Sequence, residues 1–165
     1  MHLTDNSLLI RMFLDYPYLP TPPTVIDAAL NLINLNENEV FADLGSGEGD
    51  VLIRAAEKFN CFCTGFEVNR QLLLEAKRKI KTTPVSNKVD VACADLFTVK
   101  LSPFDAIYVY PFPTIAARLS EKIREECRKG AKVLTYDYSL PNFKPAKTVH
   151  VQSGMHAHRI YLYKT

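Results

Sequence analysis

One stretch constrains the fold of this chain more than any other: Val40-Phe41-Ala42-Asp43-Leu44-Gly45-Ser46-Gly47-Glu48-Gly49-Asp50. An apolar run ends in an acid, three glycines follow on alternate positions, and an amphipathic segment begins. That is the pattern of a strand, a loop that grips a ligand, and a helix start. Glycine costs conformational entropy, so three of them at a strand end imply a turn that needs positive φ or lets something approach the backbone closely.

The rest of the chain repeats the same alternation. Apolar runs at Val40 to Leu44, Cys61 to Val68, Val89 to Ala94, Phe104 to Tyr110 and Ala131 to Tyr136 predict strands buried on both faces. Between them, Asp50 to Phe59, Asn69 to Ile80 and Thr114 to Arg128 have helical spacing, with Asp50 and Asn69 as caps and Gly130 as a stop. A further helix is expected from Thr24 to Asn34, and only a turn of helix between Ala94 and Pro103. Parallel neighbours need crossover helices, so the pattern implies an α/β fold: an open, doubly wound, mostly parallel sheet. Thr148 to Gln152 and Ala157 to Tyr163, joined by Ser153-Gly154-Met155-His156, read instead as a C-terminal antiparallel hairpin.

At 165 residues, 47% of them hydrophobic, the chain suits one domain with a continuous core and leaves no room for a second. A net charge of +2 is too small to argue for a nucleic-acid or membrane partner, and Lys77, Arg78, Lys79 and Lys81 read as a solvated helix face. The start, Met1-His2-Leu3-Thr4-Asp5, has neither the basic nor the apolar region of a signal peptide, and no apolar run could span a bilayer, so a cytoplasmic protein is expected. Cys61, Cys63, Cys93 and Cys127 show no repeated C-x-x-C spacing and are expected to be reduced structural thiols, the first three in buried strands.

The loop narrows the ligand. A nicotinamide fingerprint would need a small residue where Asp50 stands, and a phosphate-binding P-loop would need Gly-Lys-Ser or Gly-Lys-Thr. Successive strand ends carry acids instead: Asp43, Glu67 and Asp95, with Glu48 in the loop itself. Such a site prefers a cation, and S-adenosylmethionine, with its sulfonium and ammonium groups, is one. Glu67, at the end of the second strand, is placed to accept ribose hydroxyls. Asp95 can accept the adenine amine, with Leu96 and Phe97 as apolar walls.

Ala42-Asp43-Leu44-Gly45-Ser46-Gly47-Glu48-Gly49, Phe66-Glu67 and Ala94-Asp95-Leu96 resemble the signature of class I S-adenosylmethionine-dependent methyltransferases. Tyr16-Pro17-Tyr18-Leu19-Pro20-Thr21-Pro22, Tyr108-Val109-Tyr110-Pro111 and Asp137-Tyr138-Ser139-Leu140-Pro141-Asn142-Phe143 narrow the likeness. They resemble the small archaeal protein-lysine methyltransferases and the mitochondrial enzymes that modify a lysine of the ATP synthase c-subunit. The resemblance implies a Rossmann-like fold with a seven-stranded sheet and a cofactor site of Thr21, Asp43, Gly45, Ser46, Gly47, Glu48, Glu67, Asp95 and Leu96. Residues 1–23 would form a segment covering cofactor and substrate within a single domain spanning 1–165. Two departures stand out: Asp50 replaces an arginine common in the family, and the apolar N-terminal membrane segment of the mitochondrial relatives is missing, which favours a soluble, prokaryote-like enzyme.

The acceptor is read from the aromatic loops. Tyr16, Tyr18, Tyr110, Phe112, Tyr138 and Phe143 are expected near the cofactor, where aromatic faces attract ammonium and sulfonium groups. Enzymes that methylate nucleic-acid amines carry an Asn or Asp where Tyr110 or Val109 stands here, so a methyltransferase acting on RNA or a small molecule is a weaker reading than protein lysine; a third, an inactive S-adenosylmethionine-binding protein, is disfavoured by a loop that keeps every element of a cofactor site. Transfer would be an in-line displacement, governed by holding the reacting atoms about 3 to 3.5 Å apart. A lysine amine must first lose its proton, and an apolar channel helps by disfavouring the charged form. Tyr18, Tyr110 and Pro111 are the candidate reaction-site residues, with Asp137 able to receive or relay the proton. His150, His156 and His158 are expected at exposed strand positions. No metal is implied, and a monomer acting on protein substrates is expected.

Overall fold

Five parallel strands and two antiparallel ones form a single sheet in the computed structural model, which describes residues 18–165. The strands are β1 (Val40–Leu44), β2 (Phe62–Glu67), β3 (Val89–Cys93), β4 (Ala106–Val109), β5 (Lys132–Tyr136), β6 (Lys147–Ser153) and β7 (His156–Lys164). Their order across the sheet is β3-β2-β1-β4-β5-β7-β6, with β7 antiparallel to both β5 and β6. The sheet order reverses between β1 and β4, and the ligand-binding crevice of such a sheet lies at that switch point, outside the strands' carboxyl ends.

Four helices flank the sheet among the described residues: α1 (Pro23–Ile33), α2 (Asp50–Phe59), α3 (Arg70–Lys81) and α4 (Pro113–Glu126). Alternation along β1 sends Phe41 to one face and Ala42 and Leu44 to the other. The first face packs on α1, α2 and α3 through Val25, Ile26, Leu30, Leu52, Ala55 and Ala76. The opposite face packs on α4 through Leu119 and Ile123, joined by Leu101, Phe104 and Tyr163. Burial on both faces is why these strands read as continuous apolar runs rather than alternating ones.

Local chemistry explains where the helices begin. Pro23 opens α1 because its fixed φ suits the first helical turn, and Asn34 closes it at φ +46°. Asn69 caps α3, its side-chain oxygen accepting the Gln71 N–H at 3.0 Å and the Leu72 N–H at 3.4 Å. The cap of α2 is not Asp50 but Gly49, which is left-handed at φ +82°; Asp50 is the first helical residue and turns its carboxylate to Lys79. α4 ends at Glu126 rather than Arg128, and Ala94 to Pro103 forms turns instead of helix. Cys61 and Cys63 are buried with their sulfurs 3.6 Å apart, whereas Cys93, expected inside, is exposed because β3 is an edge strand.

Candidate active site

The glycine loop is stitched to β2 before anything else holds it. The N–H groups of Gly45 and Ser46 both donate to the Phe66 carbonyl, at 2.9 and 3.0 Å, and the Gly47 N–H donates to Glu67 Oε2 at 2.9 Å. The other Glu67 oxygen accepts the Asn69 N–H at 2.8 Å, so this buried carboxylate ties two strand-to-helix connections together. Each of its oxygens keeps a further lone pair for a ligand donor. Gly47 adopts φ +52°, and a Cβ there would lie 2.6 Å from Tyr18 Cε2. The Tyr18 ring therefore rests on the loop backbone, at a distance only glycine allows. Burial and the nearby Glu48 and Asp50 carboxylates hold its phenol above the usual range.

Beneath the loop, Asp43 is 3% exposed and, among the described residues, has neither a hydrogen-bond donor nor an ion-pair partner. Burial, and then the Glu67 charge, hold its carboxyl well above the usual carboxylate range. The Ser46 hydroxyl is likewise buried without a partner. Unsatisfied buried polar groups are rare, and an unpartnered hydroxyl in the loop that follows a strand bearing a buried acid fits a ligand that supplies donors and positive charge.

Other expected cofactor residues have different company. Glu48 pairs with Lys79, which also reaches Asp50 at 3.2 Å; Glu48 is therefore engaged in fixing the loop to α3 rather than left as an unpaired acid, and Lys79 is not part of a purely solvated face. Asp95 uses Oδ1 to accept the Phe97 N–H at 2.8 Å, a turn that sets Leu96 and Phe97 half-buried beside the crevice, with the Arg118 guanidinium 3.8 Å from the Phe97 ring centre. Thr21 Oγ1 lies 3.0 Å from the hydroxyl of Tyr108, a buried β4 residue that pairs in register with Asp43. This hydrogen bond ties the segment before α1 to the switch point. Along the chain Tyr108 stands out only as part of a motif, because its partner is far away in sequence.

On the far side of the switch point the lining turns aromatic. The Tyr110 ring lies 4.4 Å from Phe112, 5.1 Å from Tyr136 and 5.7 Å from Tyr138, with Pro111 buried between the two loop aromatics. Burial and the Tyr138 and Asp137 neighbours push the Tyr110 phenol up to about 12, so it stays neutral. Asp137 sits left-handed at φ +61° directly after β5. Its carboxylate accepts the Arg159 N–H at 3.1 Å and lies 3.1 Å from His158 Nδ1. Phe143, expected in this group, packs instead on Tyr163 in the core beneath α4, and Tyr16 lies outside the described residues along with the rest of the cover up to Pro17. His158 is not at an exposed position: it is half-buried against Tyr136 and Asp137.

A family model of the ANTKMT methyltransferase domain matches residues 43–147. The chain belongs to this family. Its matched region runs from the buried acid of β1 through the aromatic loops to the first residue of β6. A protein-lysine N-methyltransferase of Saccharolobus islandicus is 26% identical, over 89% of this chain and 92% of that protein. The ATP synthase c-subunit lysine N-methyltransferase of Xenopus laevis is 24% identical over 78% of this chain, which spans 56% of the longer relative. Among solved structures, an RNA methyltransferase from Salinibacter ruber in complex with S-adenosyl-L-homocysteine superposes with a TM-score of 0.82 at 28% identity, covering 88% of this chain and 93% of that one. Among the described residues of this family member, no helix is long and apolar enough to cross a membrane.

Proposed function

We propose that this methyltransferase uses S-adenosylmethionine to methylate the side-chain amine of lysine in protein substrates. The observation that carries the reading is the junction of an acidic, partly unsatisfied loop with an aromatic box at the same edge of the sheet. S-adenosylmethionine fits the loop: among the described residues Asp43 has no cation and the Ser46 hydroxyl no partner, and Glu67 retains lone pairs for ribose hydroxyls. The named relatives that act on lysine support the acceptor.

The bound donor supplies an activated methyl group; the remaining work falls to the chain. Gly45, Ser46 and Gly47 shape the cradle, with Asp43 and Glu67 as its charged floor and wall, and Asp95 and Leu96 at its far end. Thr21 and Tyr18 close it from the N-terminal side. Tyr110, Pro111, Phe112 and Tyr138 form an apolar channel in which an ammonium gains aromatic-face attraction but loses hydration. Desolvation disfavours the charged amine, and Tyr110, being neutral, adds no negative charge to oppose that loss. Asp137 stands at the channel's end as the acid that can take part in moving the proton.

The Salinibacter ruber structure keeps an RNA substrate in view as a second reading. Against it, the Asn or Asp that would orient a base amine is replaced by the buried Val109 and by Tyr110, whose ring is packed against Phe112, Tyr136 and Tyr138. Transfer of labelled methyl from S-adenosylmethionine into a mixed extract, followed by protease or nuclease, decides between them. Label released by protease and recovered as methyl-lysine is expected; label released by nuclease alone would sink the lysine reading.

A further inference from the structure

The run that leads into α1, Tyr18-Leu19-Pro20-Thr21-Pro22-Pro23, crosses the glycine loop with little backbone support. Among the described residues no backbone hydrogen bond reaches residues 18–21, and the first in this stretch is made by the Pro22 carbonyl, which accepts the Val25 N–H at 2.9 Å and the Ile26 N–H at 3.0 Å. Two side-chain contacts hold the run instead. The Tyr18 ring lies against the Gly47 backbone, and the Thr21 hydroxyl lies 3.0 Å from that of Tyr108.

Proline makes the run stiff. The rings of Pro20, Pro22 and Pro23 fix φ, and Pro20 and Pro22 bias Leu19 and Thr21, the residues ahead of them, to extended backbone. Three extended residues span at most about 10 Å, so fixing Thr21 sets where Tyr18 can lie.

The fixing point is itself rigid. Tyr108 is 3% exposed, belongs to the core face that packs on α1, and pairs in register with Asp43 of β1, so the two side chains share one face of the sheet. Burial holds its phenol above the usual range, and the hydroxyl stays protonated. A phenylalanine would fill the same space. Among the described residues the oxygen has one hydrogen-bond partner, Thr21, and that bond fastens the crossing segment beside the buried acid of the donor site.

Resting on the donor-site reading above, we propose that Tyr108 is a positioning residue: its hydroxyl, through Thr21 and the proline-stiffened run, keeps the Tyr18 ring over the glycine loop and so retains bound S-adenosylmethionine. Without the bond the ring lifts from Gly47 and the cradle opens on its N-terminal side. Donor dissociation quickens. The transfer step, governed by the aromatic channel across the switch point, keeps its rate once the donor is bound.

The test is S-adenosylhomocysteine binding by calorimetry and stopped-flow dissociation, for the wild type, Tyr108→Phe, Thr21→Val and the double variant. Each single substitution should weaken binding about 10-fold, the upper end for one net hydrogen bond, with the change in the dissociation rate. The double variant should be no weaker than the singles, because both remove the same bond. Thr21→Ser, which keeps the hydroxyl, should bind as the wild type does, and in a Tyr18→Ala background Tyr108→Phe should cost nothing further. For Tyr108→Phe, KM for S-adenosylmethionine should rise about 10-fold while methyl transfer into extract protein at saturating donor stays within about twofold of wild type. Should Tyr108→Phe melt early, Thr21→Val, in the partly exposed segment, carries the same binding readouts.

Wild-type affinity in either single variant, effects that multiply in the double variant, or a fall in kcat with KM unchanged overturns the proposal and leaves the donor site standing. A wild type that does not bind S-adenosylhomocysteine overturns both.

Discussion

The two halves of the crevice are built on different principles. Around β1 and β2, backbone does most of the holding: three left-handed glycines, two N–H groups on one carbonyl, and a carboxylate accepting two further N–H groups. Around β4, β5 and the hairpin, side chains do it: three aromatic rings gathered on that of Tyr110 and an imidazole beside a phenol and a carboxylate. A backbone cradle recognises a ligand common to many enzymes, since main-chain geometry leaves little room for variation. A side-chain box can be changed one ring at a time, and specificity for the acceptor can diverge without disturbing the donor site.

Substitutions should separate the halves, and the largest effect belongs to the loop. Gly47→Val places a branched side chain at positive φ and against the Tyr18 ring, so S-adenosylhomocysteine binding by calorimetry should fall at least about 100-fold, roughly the cost of such strain and overlap combined. Retained affinity would show that Tyr18 moves freely off the loop. Asp43→Asn should weaken binding about 30-fold or more, the lower end for losing one partner of a buried charge pair.

The same substitution should raise the melting temperature of the ligand-free protein at neutral pH. The folded Asp43 carboxyl is held above its unfolded value of about 3.9, so its contribution to stability is full below that pH and lost as pH rises through the folded value. The stabilisation by Asn should therefore disappear in acid. An Asp43→Asn protein that melts lower than wild type at neutral pH would mean the acid has a partner even without ligand.

On the other side, Tyr110→Ala should slow methyl transfer about 30-fold, about 2 kcal/mol for a desolvated cation–aromatic contact, and leave cofactor affinity unchanged. A change in affinity instead would merge the two halves into one site. Gly65→Ala probes the floor of the loop half: its Cβ would fall 2.5 Å from both Leu52 Cδ1 and Ser46 Oγ, so denaturant unfolding should show a loss of about 1–3 kcal/mol from overpacking. Smallest of all, Lys79→Met should cost no more than about 1 kcal/mol, because its pairs with Glu48 and Asp50 are partly exposed, and the effect should shrink in high salt.

Much of this was legible along the chain. β1 and α2 run over the segments that periodicity predicts, Val40 to Leu44 and Asp50 to Phe59, because both are bounded by glycine or asparagine turns and buried on clear faces. Asp43, Gly45, Ser46, Gly47 and Glu67 could be named as a group because strand ends recur at regular intervals in an alternating sheet. Tyr108, Gly65 and His158 could not. Tyr108 matters through Thr21, 87 positions away, and His158 through Asp137, 21 positions away. Neither pairing leaves a local pattern. Phe143 shows the converse: loop position and aromaticity alone suggested the acceptor box, but the ring had a better-packed place on Tyr163.

The sequence by itself determined the alternation of strand and helix, the left-handed glycine loop and the acids at the strand ends, since each follows from conformational preference or burial over a few consecutive residues. The tertiary structure decided which acids remain unpaired and which rings face one another. It turned Glu48 to Lys79, left Asp43 without a partner among the described residues, and folded the hairpin back so that His158 meets Asp137. Those outcomes depend on sheet order and register, which bring distant segments within a few ångströms, and no short-range pattern encodes that distance.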